Sequence, residues 1–155
     1  FYSWLDSGKI TCRESFTLPP VITPAETTDA IPKSLYEAEK DDMNNGEHEL
    51  IDAVVALKNV KWWHRIIERK DFRLNGFINH YPDFMVMTQS GKLVMIEYKG
   101  DDRDNSDSER KLKLGRQWQA QCGQNYRYFM VFKNRKFGID GAYTLDRFVE
   151  IMKEL

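Results

Sequence analysis

The sequence predicts an α/β domain in which helices flank a central mixed β-sheet. Three observations lead to this class: helical spacing of apolar residues after residue 44, two apolar runs joined by a Ser-Gly turn, and a further apolar strand between two later helical stretches. The elements follow the order helix, strand, strand, strand, helix, strand, helix. A chain of 155 residues, 41% hydrophobic and 30% charged, suits one globular domain with a core.

Residues 1–43 are predicted to be an extended connector that packs on the domain formed by residues 44–155. Four prolines, at positions 19, 20, 24 and 32, break regular structure in this part. Residues 1–5 and 9–12 suit short strands, and residues 34–40 suit a short helix. Because the sequence begins at Phe1 rather than methionine, we expect it to be a fragment of a longer protein or a processed product. In the first case the connector leads from an upstream domain.

The first helix is predicted to begin near Asn45, a candidate N-cap, and its apolar residues are Leu50, Ile51, Val54 and Leu57. Glu47 lies three and four residues before Leu50 and Ile51, so it shares their inward face. Two interpretations of this acid remain open. It is a glutamate favoured by the helix dipole, or it is a metal ligand that acts directly or through water.

Residues 60–67 are rich in aromatic and β-branched residues and are predicted to form a strand. Its tryptophans suit the core better than a surface on which bases stack. Arg65 could reach a phosphate or pair with an acid. Residues 72–79, around Asn75-Gly76, are predicted to form a loop.

The next two strands form the predicted hairpin that carries the candidate site. Phe84–Met87 and Leu93–Lys99 are apolar runs around the turn signal Ser90-Gly91, which places Asp83 level with Glu97 and Lys99. Two carboxylates that meet repel each other unless a cation lies between them, and oxygen ligands suit Mg²⁺. A neighbouring lysine can hold an attacking water. The alternative is a hairpin whose end charges are only solvated.

After the hairpin the sequence predicts a polar loop at 101–108 and a helix over 109–122 that is capped by Asp107 or Ser108. Lys111, near the helix start, is placed to meet a phosphate. Lys113 and Arg116 could do the same or form a solvated face. Gly115 permits close packing of the helix. A strand at 126–132, a basic loop at 133–141 and an amphipathic helix at 145–155 complete the domain.

Composition narrows the function classes. No apolar run approaches a membrane span, so we expect no membrane association. Cys12 and Cys122 lie far apart, and the three histidines lack zinc spacing, so a reduced cytoplasmic setting is the default expectation. Residues 1–57 hold 4 Lys/Arg and 11 Asp/Glu, whereas residues 58–155 hold 19 and 13. The basic part contains the candidate site, which is compatible with a polyanionic substrate and equally with a mixed solvated surface.

These motifs together resemble the PD-(D/E)XK nuclease superfamily, and more closely the C-terminal nuclease domain of type III restriction enzyme Res subunits. The resemblance covers about residues 44–132. The motifs that carry it are Asn45 with Glu47, Trp62-Trp63-His64-Arg65, Tyr81-Pro82-Asp83-Phe84, Glu97-Tyr98-Lys99-Gly100, and the helix of Lys111, Lys113, Gly115 and Trp118. One pattern of the RecB-like subgroup is absent, because Gln117, Gln119 and Gln121 have no tyrosine four residues later.

The resemblance implies a restriction-endonuclease-like three-layer α/β/α sandwich and a DNA endonuclease that uses Mg²⁺, with Mn²⁺ as a substitute. Asp83, Glu97 and the Tyr98 backbone carbonyl would bind the ion, with Glu47 joining through water, and Lys99 would orient the attacking water. The implied DNA contacts are Arg65, Lys111 and Lys113.

The family also implies an upstream helicase-type ATPase and a methyltransferase subunit that recognises the DNA sequence. No Walker A loop occurs in this sequence, so no ATP site is expected in this chain. Two other hypotheses stay open. The chain is a catalytically silent DNA-binding or scaffolding module on the same fold, or its first 45 residues dock a methyltransferase.

Overall fold

The computed structural model describes residues 1–101, 106–134 and 138–155. Its helices are α1 (Tyr2–Asp6), α2 (Asn45–Val55), α3 (Ser106–Cys122) and α4 (Leu145–Lys153). Its strands are β1 (Val60–Arg65), β2 (Leu74–Asn75), β3 (Asn79–His80), β4 (Phe84–Thr88), β5 (Leu93–Lys99), β6 (Tyr126–Phe132) and β7 (Ala142–Thr144). The predicted α/β class is confirmed.

The central sheet has five strands in the order β1-β4-β5-β6-β7. β1, β4 and β5 are antiparallel neighbours, whereas β5, β6 and β7 run parallel, so the sheet is mixed. The parallel step from β5 to β6 needs a crossover, and α3 supplies it. The predicted hairpin is confirmed: Phe84 pairs with Ile96, and Met87 pairs with Leu93.

Helices cover both faces of this sheet, which explains why its strands are apolar without alternation. On one face α2 and α4 pack on alternate strand residues such as Val94 and Ile96, and on the other α3 packs beside Met95. Gly115 lets α3 lie close to β6, because a Cβ there would stand 2.3 Å from the Tyr128 ring. Trp63 is fully buried in the core, as predicted.

The connector, residues 1–43, follows a different path from the one predicted. Residues 2–6 form α1 rather than a strand, since Leu5 N–H donates to the Phe1 carbonyl. Residues 9–12 form no strand. Residues 34–40 form no helix, because their backbone groups bond elsewhere: Leu35 N–H donates to the Trp63 carbonyl of β1, and the Glu39 carbonyl accepts from Thr28.

Several predicted boundaries also change. Asn44, not Asn45, caps α2 by accepting from Glu47 N–H. α3 begins at Ser106, so Asp107 and Ser108 lie in its first turn instead of capping it. β7 and the small β2–β3 hairpin were not predicted, and β1 ends at residue 65. The predicted loops at 101–108 and 133–141 fall partly outside the described residues, at 102–105 and 135–137.

Among the helices of the described ranges, none has the length and apolar character needed to cross a bilayer.

Candidate functional site

Asp83 lies immediately before β4, next to the far end of β5. Its carboxylate accepts two hydrogen bonds: Tyr98 N–H donates to Oδ2 at 2.8 Å, and the Arg65 guanidinium donates to Oδ1 at 3.0 Å. Since the N–H and C=O groups of a strand residue point to the same side, the Tyr98 carbonyl points to the same edge of β5 as this N–H. The register of the hairpin thus brings the first acid to the backbone between Glu97 and Lys99.

Glu97 is buried at the same end of the sheet, with an exposed fraction of 3%. Its Oε1 pairs with Lys99 Nζ at 3.1 Å and with Lys111 Nζ at 3.0 Å. Its Oε2 is buried and has no hydrogen-bond partner. We call Asp83, Glu97 and Lys99 the carboxylate site. The predicted sharing of one strand face by Glu97 and Lys99 is confirmed by their contact.

His80 stands against Glu97 on the α3 side of the sheet. Its Nε2 lies 3.9 Å from Glu97 Oε2 and 2.8 Å from the Tyr128 hydroxyl, while its buried Nδ1 has no partner. Burial, with the charges of Lys111 and Lys99, lowers the pKa of His80 to about 3. The imidazole is therefore neutral at neutral pH and adds no positive charge to the site.

The electrostatics of the site make Asp83 unusual. Burial raises its pKa above the ordinary value, and the Glu97 charge raises it further, although Arg65 and Tyr98 N–H oppose this. Burial lowers the pKa of Lys111, but the contact with Glu97 outweighs it and leaves that pKa raised. Burial and the Glu97 charge therefore make Asp83 harder to ionise, although a guanidinium and a backbone N–H are bound to it.

Arg65 is buried among acids and does not extend toward solvent. Its guanidinium reaches Asp42 at 2.9 Å, Asp83 at 3.0 Å and Glu47 at 3.6 Å. It also lies 5.0 Å from the centre of the Phe84 ring. Of the two roles left open by the sequence, the structure shows pairing with acids.

Glu47 occupies the inward face of α2, as its spacing predicted, and is 7% exposed. Its Oε2 accepts from Asn44 N–H at 2.8 Å, which completes a capping box, and its Oε1 faces Arg65. Burial raises its pKa, with Arg65 opposing. Glu47 therefore already serves the helix start, and its link to Asp83 runs through Arg65.

The two predicted phosphate-binding lysines of α3 differ in their surroundings. Lys111 is tied to Glu97 and, at 3.4 Å, to Asp107. Lys113 is exposed, with its Nζ 4.8 Å from the centre of the Tyr2 ring. The structure thus brings Asp83, Glu97, Lys99, Lys111 and the Tyr98 backbone together and leaves Lys113 apart.

The candidate side-chain ligands for a metal ion at this site are two carboxylates, those of Asp83 and Glu97. Within residues 1–101, 106–134 and 138–155, no group of three or more His, Cys, Asp or Glu is placed to hold an ion. Zinc sites need three or four protein ligands, whereas Mg²⁺ keeps several waters and accepts one or two carboxylates. The unpartnered Oε2 of Glu97, together with the Asp83 carboxylate on which the Glu97 charge acts, is compatible with this second pattern.

A second buried charged cluster, which we call the His64 cluster, consists of Glu39, His64 and Asp71. Glu39 Oε2 contacts His64 Nδ1 at 2.7 Å, and Asp71 Oδ2 contacts His64 Nε2. Burial alone would lower the pKa of His64, but the bonds to Asp71 and Glu39 raise it to about 9. The imidazolium is therefore fully paired, and this cluster has no open position for a ligand.

Sequence reasoning missed His80, Tyr128 and Asp42 as neighbours of the site. His80 is three residues before Asp83, which is the one signal that could have marked it. Nothing in the sequence indicates that Tyr128 or Asp42 would approach.

No protein-family model, no curated protein and no solved structure matches this chain.

Proposed function

We propose that this chain is a Mg²⁺-dependent endonuclease domain that hydrolyses DNA phosphodiester bonds, as the nuclease part of a type III restriction enzyme-like helicase–nuclease. The observation that carries the proposal is the buried, unpartnered Oε2 of Glu97, a residue whose charge acts on Asp83 and whose Oε1 pairs with Lys99. A buried carboxylate oxygen without a partner is costly, and a cation is the partner that removes this cost.

The fold supports the proposal. The order α2, β1, β4, β5, α3, β6, with the acids at the ends of β4 and β5, is the order that the restriction-endonuclease-like sandwich would require. The small β2–β3 hairpin is inserted between β1 and β4 without changing the sheet order. We therefore extend the α/β class to that three-layer α/β/α fold as part of the proposal.

The residues take distinct roles in this scheme. Asp83, Glu97 and the Tyr98 carbonyl would hold the ion, and Glu47 would approach it only through water. A bound Mg²⁺ would polarise the scissile phosphate and offset the charge that develops on its oxygens. Lys99 would orient the water that attacks phosphorus, while the bond to the leaving oxygen breaks. Lys111 keeps Glu97 in place through its Oε1 and leaves Oε2 open.

DNA is the proposed substrate, and Lys113 is the proposed phosphate contact because it is an exposed residue. Lys111 reaches a phosphate only if its contact with Glu97 is exchanged, and Arg65 is assigned to Asp83 instead. Any ATP-driven step belongs to a helicase-type domain, and sequence recognition belongs to a methyltransferase subunit.

The test is cleavage of supercoiled plasmid DNA with Mg²⁺ or Mn²⁺, together with calorimetric titration of each metal. We expect nicked and linear DNA from the wild type and none from Asp83→Asn or Lys99→Ala. Metal binding should vanish in Asp83→Asn, and this readout needs no upstream ATPase. Glu68→Gln, which neutralises an exposed acid elsewhere, is the matched control and should behave as the wild type.

Equal cleavage by the wild type and both site variants would overturn the assignment of these residues. Absence of any metal binding that depends on Asp83 would overturn the metal site itself.

One observation favours the silent DNA-binding or scaffolding module. The site is already largely neutralised: both Asp83 oxygens accept a hydrogen bond, and two lysines share Glu97 Oε1. If protein cations replace the metal, the chain binds DNA without cleaving it. Metal titration separates the two functions, because only the nuclease loses metal binding in Asp83→Asn.

A further inference from the structure

Arg65 is shared between the carboxylate site and the connector. Its Nη1 donates to both Asp83 Oδ1 and the Asp83 carbonyl, at 3.0 and 3.2 Å, while its Nε donates to Asp42 at 2.9 Å. Asp42 belongs to the connector, and Asp83 belongs to the site. One guanidinium charge therefore serves acids from two separate parts of the chain.

The connector holds two successive residues of β1 with two acids that are three positions apart. Glu39 binds the His64 ring and also accepts from Arg65 N–H at 3.1 Å, and Asp42 binds the Arg65 side chain. Its backbone is bound to the same strand, since Trp63 N–H donates to the Lys33 carbonyl. The position of Arg65 against Asp83 thus depends on where the connector lies.

We propose that the connector controls metal binding at the carboxylate site through Asp42, which shares the charge of the Arg65 guanidinium with Asp83. This inference rests on the proposed function, because it concerns the same site. Asp42 draws away part of the Arg65 charge. When Asp42 is removed, that charge acts on Asp83 and Glu47 alone, so a cation beside Asp83 is repelled more strongly.

The different exposure of Asp42 and Asp83 agrees with control of metal binding by the connector. The Asp42 side chain is 42% exposed and also pairs with Lys40 at 2.7 Å, whereas the Asp83 side chain is 20% exposed. The more exposed Asp42 can therefore be solvated when it leaves Arg65, and Asp83 remains bound to the guanidinium. Any movement of residues 39–42 would be transmitted to the site through one guanidinium.

The experiment is calorimetric titration of Mn²⁺ into the full chain and three variants. Asp42→Asn should weaken Mn²⁺ binding by roughly threefold to tenfold relative to Asp41→Asn. Asp41 is the matched control, because it is the adjacent acid and pairs with His48 at 3.4 Å instead of Arg65. Asp42→Glu keeps the charge within reach of Arg65 and should restore the wild-type affinity. Melting temperatures of all four proteins would exclude unfolding as the cause.

The outcomes distinguish failure of the proposed metal site from failure of the proposed role of Asp42. If the wild type binds no Mn²⁺, the proposed metal site fails, and this inference fails with it. If the wild type binds Mn²⁺ but Asp42→Asn and Asp41→Asn have equal affinities, this inference alone is overturned.

Discussion

Two buried charge clusters lie in this domain, and they differ in how fully their buried polar atoms are paired. In the His64 cluster, both ring nitrogens contact a carboxylate, and the His64, Glu39 and Asp71 side chains are at most 1% exposed. At the carboxylate site Glu97 Oε2 has no hydrogen-bond partner, nor has Nδ1 of the neighbouring His80. In the described part of the chain these are the only buried side-chain nitrogen or oxygen atoms without one.

The presence of an unpaired buried acceptor distinguishes a candidate site from a structural cluster. Buried charges that satisfy one another hold segments together and gain nothing from a ligand. Buried charges that leave an acceptor open are expensive until something binds. Exchange of single residues should therefore damage folding in the first cluster and function in the second.

The largest effect is expected at the carboxylate site. Glu97→Gln should lower the rate of DNA cleavage by roughly a hundredfold to a thousandfold, because the open acceptor for the ion loses its charge. The melting temperature without metal should change little, because the loss of the ion pairs with Lys99 and Lys111 is offset by relief of the repulsion between Glu97 and Asp83. Plasmid nicking rates and thermal melting of the same samples measure both quantities. A Glu97→Gln variant that nicks DNA at the wild-type rate would show that the carboxylate site does not catalyse cleavage.

The next effect concerns the stability supplied by the His64 cluster. His64→Leu leaves two buried carboxylates without their partner and should lower the free energy of unfolding by about 3–5 kcal/mol. His48→Leu is the matched control: that side chain is 39% exposed, so its loss should change the stability by about 0.5 kcal/mol or less. Urea denaturation measures both. Equal stability of the two variants would show that the cluster is not structural.

The pH dependence of the free energy of unfolding gives a second test of the His64 cluster. The folded-state pKa of His64, about 9, lies above its usual value of 6.5, so the contribution is complete below pH 6.5 and is lost as the pH rises through about 9. The whole difference corresponds to about 3 kcal/mol. Urea unfolding at several pH values should show this decline in the wild type and not in His64→Gln. A flat wild-type profile would contradict the paired imidazolium.

The smallest effect is stabilisation by the metal. Mg²⁺ at a concentration one hundred times its Kd should stabilise the wild type by about 2.7 kcal/mol. Asp83→Asn should show no such increase, whereas His48→Leu should retain it. Thermal melting with and without Mg²⁺ provides the comparison. An equal increase in Asp83→Asn would place the bound ion elsewhere.

The sequence predicted the parts of this arrangement that depend on local periodicity. Alternation along β5 puts Glu97 and Lys99 on one face, and the turn fixes the register that brings Asp83 to Tyr98. The inward position of Glu47 followed from helical spacing.

The contacts of the connector could not be predicted in this way. Glu39 and His64 lie 25 positions apart, and Asp42 and Arg65 lie 23 apart. The connector has no periodic pattern that fixes its path, so these pairings depend on the tertiary fold. The same limit explains α1, since five residues carry too little pattern to distinguish a helical turn from a short strand.

The most direct test of the proposed function is a crystal of the full chain soaked in Mn²⁺ and measured at a wavelength where manganese scatters anomalously. The proposal predicts an anomalous peak between Asp83 and Glu97, within about 2.5 Å of a carboxylate oxygen of each. An ordered site without that peak, with Lys99 and Lys111 still bound to Glu97, would contradict a metal-dependent nuclease and favour the silent module.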